Sequence, residues 1–128
     1  MSDRRAAGAL TVLAGWAIAA PFADGPLGLA VATAPSVEFV DHVLPGMAAM
    51  VAAMVLMTST RAKLPAALGA LLAGFWMTAT HLPLLVPSLR SGRQAAAAVW
   101  HTAPGACVLL VAVALVVQAL RVDGHGAT

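Results

Sequence analysis

Three of the four histidines carry the coordination chemistry this chain has to offer. His42 and His101 each begin the pattern His-x-x-Pro-Gly, once as His42, Pro45 and Gly46 and again, 59 residues later, as His101, Pro104 and Gly105. His81 lies between them. Neutral imidazoles presented at one depth by two equivalent helices can ligate a haem iron, or a zinc or copper ion, with His81 as a third candidate. The same residues have a plainer reading, which the sequence favours. A proline is pre-organised for a first helical turn, and a histidine just before it sits at the membrane interface, where its ring meets water or orphan backbone groups. His81, followed by Pro83 and Pro87, then marks the outer end of its helix, and His125 is a solvated residue of the Gly-containing tail.

Other chemistry is scarce. Met47, Met50, Met54 and Met57 follow 3-4-3 spacing and share one helical face; such faces can carry soft copper ions, but they more often fill packing seams. Asp3, Asp24, Glu38, Asp41 and Asp123 all lie outside the apolar runs, which argues against a proton relay or a secondary transporter. No phosphate loop, nucleophile-and-base arrangement or basic nucleic-acid platform is present. The one cysteine, Cys107, sits in an apolar run and behaves as a small hydrophobe. An oligomeric channel or carrier would need a polar path, for which only Thr11, Thr78 and Thr80 are candidates. The expectation is therefore a protein that is not an enzyme and does not bind nucleic acid.

The elements that must position the histidines follow from composition. Of 128 residues 61% are hydrophobic and only 9% charged, with a mean hydropathy of +0.91 and a net charge of +2. A soluble domain of this size carries roughly 25% charged residues, so most of this surface faces lipid. Apolar runs at Ala6–Phe22, Val43–Met57, Leu64–Leu85 and Ala95–Leu120 compare with the roughly 20 helical residues that a bilayer core of about 30 Å requires. Extending the second run to His42 and Thr60 gives four spans over about 6–22, 42–60, 64–85 and 95–120, a single transmembrane domain of the all-α class. A signal peptide is the competing reading of Arg4-Arg5 and the first run, but its cleavage would remove half of the repeat described next. Arg4, Arg5, Arg61, Lys63 and Arg121 fall on one side and Arg90 and Arg93 on the other, which places both termini in the cytoplasm of a multi-pass inner-membrane protein. The outer loops run from Ala23 to Asp41, where a short re-entrant or surface segment is expected, and from Val86 to Gln94. Trp100 fits an outer aromatic belt, whereas Trp16 and Trp76 read as packing residues.

Shifting the chain by 59 residues aligns its halves without a gap, pairing among others Gly15 with Gly74 and the two His-x-x-Pro-Gly blocks. Two tandem two-helix units, about 5–60 and 64–120, would then be parallel repeats related by a pseudo-twofold along the membrane normal. Ala7, Thr11, Gly15 and Ala19 on the first helix match Ala66, Ala70, Gly74 and Thr78 on the third. Small residues at every fourth position let helix backbones approach in lipid, so the first and third helices are expected to pack at the centre.

With the repeat in place, the chain resembles the SPW-repeat family of small integral membrane proteins, in which each unit has two transmembrane helices and the first leads into a Ser-Pro-Trp motif. The first unit reads Ala14-Gly15-Trp16 and then Ala20-Pro21-Phe22, keeping proline and an aromatic; the second reads Ala73-Gly74-Phe75 and then Ala79-Thr80-His81, where the motif is lost. Asp41-His42 with Gly46 and Trp100-His101 with Gly105 are similar to the family's polar opening of the second helix. Covering about residues 5–120, the resemblance implies an architecture and no activity. The leading expectation is a structural or accessory membrane protein without a cofactor, whose partners are the bilayer and either further copies of itself or another membrane protein. The alternative is a small haem- or metal-binding membrane protein using His42, His101 and His81.

Overall fold

The computed structural model describes residues 3–27, 34–59 and 61–124. They form four helices: α1 (Asp3–Leu27), α2 (Pro35–Thr58), α3 (Lys63–Ser91) and α4 (Ala95–Gly124). All four are long and apolar enough to cross a membrane. Short connections after α2 and α3 force antiparallel neighbours, so each helix packs on the next and α4 closes back on α1.

This closed ring corrects the expected packing. The first and third helices lie across the diagonal, while the close partners are α1 with α2 and α3 with α4. Glycine makes the second contact possible, since a Cβ on Gly74 would fall 2.5 Å from the Leu109 nitrogen and one on Gly105 would fall 2.6 Å from the Met77 Cβ. On α3, Ala66, Ala70 and Gly74 are buried and Thr78 is half-buried, and at Gly74 the close partner is α4. On α1 the buried face runs instead through Ala6, Ala7, Leu10, Ala14, Ala17 and Ala20. Thr11 is half-buried, a Cβ on Gly15 would meet open space, and Ala19 is exposed. In so alanine-rich a helix the spacing of small residues does not single out one face.

The core is mostly alanine, whereas Val12, Phe22, Leu72 and Leu110 point outward, each about 70% exposed. Small residues inside and large apolar residues outside suit a lipid solvent, which supplies no hydrophobic drive between helices and rewards close backbone packing. Three of the four aligned methionines, Met47, Met54 and Met57, join this outer surface, and only Met50 packs against the core. They do not fill a seam.

Every helix outruns its apolar segment. Of the expected loop between the first two spans, the part up to Leu27 belongs to α1 and the part from Pro35 belongs to α2; residues 28–33 lie outside the described residues. Pro83 and Pro87 do not end α3, which continues to Ser91 and stops where Gly92 takes a left-handed φ of 71°. Proline persists inside membrane helices because neighbouring groups re-satisfy the backbone. His125 lies outside the described residues.

Candidate metal centre

α2 starts with Pro35 in its first turn, then changes pitch. Pro45 has no N–H and its ring crowds the carbonyl four residues back. The preceding ladder widens into a π turn at Phe39–Val43, where the Leu44 N–H donates to the Phe39 carbonyl five residues back. Such turns recur at functional sites. His42 lies within this turn, His81 well inside α3, and His101 six residues after the start of α4.

All three rings are buried: His42 is fully enclosed, His101 is 1% exposed and His81 is 8% exposed. They meet at one point in the bundle, with ring centroids 4.4 Å apart for His42 and His81, 5.0 Å for His42 and His101, and 5.9 Å for His81 and His101. This overturns the placement of His42 and His101 at helix starts in contact with water, and of His81 at the end of its helix. All three sit about 9–15 Å in from one end of the bundle at a helical rise of about 1.5 Å per residue.

The polar contacts decide which nitrogens are available. His42 Nε2 and His101 Nδ1 are 3.0 Å apart and share a hydrogen bond between α2 and α4, two helices that otherwise lie across a diagonal. His81 Nδ1–H donates to the Met77 carbonyl at 2.7 Å. Anchoring that nitrogen leaves Nε2 with its lone pair, the orientation by which metal-ligating histidines are usually held. His42 Nδ1 is buried without a hydrogen-bond partner. One donor atom from each ring can be chosen so that all three lie within 4.8 Å of one another.

A pocket of about 150 Å³ reaches His81 and His101 and is also lined by Val37, Glu38, Asp41, Thr80 and Leu84. Glu38 stands one turn before His42, its Oε2 3.6 Å from His42 Nε2 and 4.0 Å from His101 Nδ1. Sequence reasoning left this residue in a loop. Pro35 followed by an acidic residue in the next turn is a helix-start signal, and reading it would have put Glu38 and His42 four apart on one helical face.

The remaining motif residues have packing roles. Pro45, Gly46, Pro104 and Gly105 are buried, and a Cβ on Gly46 would fall 2.8 Å from the Ile18 Cγ1. Thr11 and Thr78 donate to carbonyls four residues back, as does Thr80, which spends on the backbone the hydroxyls a polar path would need. Trp100 packs against Trp16 with centroids 5.2 Å apart, while Trp76 is 51% exposed and faces outward. Comparison of the chain with protein-family models, curated proteins and solved structures finds no match.

Proposed function

We propose that this is a multi-pass inner-membrane protein that holds one late transition-metal ion, of the zinc or copper class, on His42, His81 and His101. The observation that carries this reading is the meeting of three buried imidazoles, one from each of three helices, with donor atoms inside 4.8 Å. Burying polar rings within lipid-spanning segments is costly unless they are satisfied. A shift of about 1–1.5 Å closes the widest separation to the spacing of donors around a zinc ion. Imidazole suits zinc and copper. A haem held between His42 and His101 fits less well, because those rings touch and leave no gap for a macrocycle.

Both termini are assigned to the cytoplasm by the basic residues at one end of the bundle, so the triad and its pocket open toward the outer face. The proposed architecture is two tandem helix pairs about a pseudo-twofold. The contact ring supports it, and so do Gly46 against Ile18 and Gly105 against Met77, two contacts whose members are both 59 residues apart. Within that architecture, similar to the SPW-repeat type, the protein is non-enzymatic and accessory to a membrane complex or to further copies of itself.

One observation favours a second reading. The 3.0 Å bond between His42 and His101 would by itself clasp α2 to α4 in a purely structural protein. Metal analysis separates the two. Full-length protein purified in detergent, loaded with Zn²⁺ and dialysed is expected to retain one ion per chain, and the His42→Ala/His101→Ala double variant none. Wild-type protein that retains no zinc, copper or cobalt sinks the metal reading and leaves the clasp.

A further inference from the structure

The three histidines do not account for the carboxylate beside them. Glu38 Oε2 is 3.6 Å from His42 Nε2 and 4.0 Å from His101 Nδ1, and those two nitrogens are 3.0 Å apart. Both Oε2 separations are longer than hydrogen bonds. Donor atoms around a tetrahedral ion with bonds of about 2.0–2.1 Å are spaced by about 3.3 Å, within the range of the three edges. In the plane of the three atoms, the point equidistant from them lies about 2.1 Å from each, the circumradius of a triangle with sides 3.0, 3.6 and 4.0 Å. That is a zinc–nitrogen and zinc–oxygen bond length. A tetrahedral ion sits above the plane of three of its donors, which these atoms reach by drawing together by a few tenths of an ångström.

Resting on the metal reading above, we infer that Glu38 is the fourth ligand, so that the ion is closed in by three imidazoles and one carboxylate. His42, His101 and Glu38 form one face of the site, and His81, its Nδ1 tied to the Met77 carbonyl, approaches from α3 to complete it. Both facing nitrogens need their lone pairs, so the ring that donates across the gap takes its other neutral tautomer when the ion enters, its proton then carried on His42 Nδ1 or on His101 Nε2. Charge gives a second reason for a carboxylate. Three neutral imidazoles leave a divalent ion with its full charge inside a membrane span, and one carboxylate halves the net charge that must be desolvated. A closed four-ligand set is the pattern of sites that hold an ion, whereas catalytic sites keep a position open.

Cobalt(II) reports this directly, because its visible bands distinguish four-coordinate from higher-coordinate sites and shift when an exogenous anion binds. Full-length protein in detergent is titrated with Co²⁺ and then with azide. Wild type is expected to show intense four-coordinate bands that azide leaves unchanged. Glu38→Gln, nearly the same shape, is expected to bind Co²⁺ more than tenfold more weakly and to change its bands on adding azide. Asp41→Asn removes an equal charge from the lining of the same pocket and is expected to behave as wild type. Circular dichroism and size-exclusion profiles confirm that each variant is folded. Azide-sensitive bands in wild type, or equal weakening by both substitutions without a spectral change, would overturn Glu38 as a ligand while leaving the triad intact. Wild-type protein that binds no Co²⁺ overturns the triad and this inference together.

Discussion

His42-x-x-Pro45-Gly46 and His101-x-x-Pro104-Gly105 share a pattern but not a backbone. The first histidine lies in a π turn and the second in regular α-helix, so the flanking residues, and not the motif, decide whether the proline widens the ladder. What the segments share is packing: each glycine lets its helix close on the preceding one, against Ile18 in one case and Met77 in the other. What they do not share is chemistry. Glu38 precedes His42 by four residues where Ala97 precedes His101, and Phe22 stands 59 residues before His81. The recurring residues set the distances, and the residues that occur once turn a hydrogen-bonded pair into a candidate metal centre.

Removing a recurring histidine should have the largest effect. His42→Ala or His101→Ala is expected to weaken Zn²⁺ binding by more than about 100-fold, beyond the range for outer-shell partners, in competition with a chromophoric chelator. His81→Phe, which gives α3 the residue found 59 positions earlier, is expected to weaken it about as much while leaving the His42–His101 bond in place. Unchanged affinity there would reduce the site to a pair.

The glycines sharpen the packing half of the comparison. Gly105→Ala drives a Cβ into the Met77 Cβ and backbone and is expected to cost about 1–3 kcal/mol, the usual range for overpacking, in reversible unfolding in mixed micelles. Gly46→Ala meets the Ile18 Cγ1 at 2.8 Å and the Ala14 carbonyl oxygen at 3.3 Å, looser than the backbone and Cβ contacts at Gly105, so a smaller loss of about 1 kcal/mol is expected, the low end of the overpacking range. Smallest is Gly15→Ala, which enters open space and should be neutral or slightly stabilising, since alanine exceeds glycine in helix propensity by up to about 1 kcal/mol. A loss at Gly15 equal to that at Gly105 would show that the buried face of α1 has been misassigned.

These contrasts also mark how far the sequence could be read. Four membrane-length helices were legible because apolar runs are long and charges few, and His42 and His101 stood out because histidine, proline and glycine are scarce. Helix ends were misplaced where a proline or a charge interrupted an apolar run, as at Pro87 and at Glu38, although lipid-spanning helices tolerate both when the bundle satisfies them. The face of α1 was unreadable because alanine at nearly every turn leaves no period to detect. Above all, the meeting of His81 with the other two depends on which helices are neighbours, and placing α1 beside α3 instead of α4 beside α3 hid it.

The most direct measurement of the central claim is X-ray absorption at the metal edge of zinc- or copper-loaded full-length protein. Scattering from three imidazole rings and one oxygen, all at about 2.0–2.2 Å, is the expected result. A first shell of sulfur, as from the outward methionine face or Cys107, or a shell without imidazole, would contradict it.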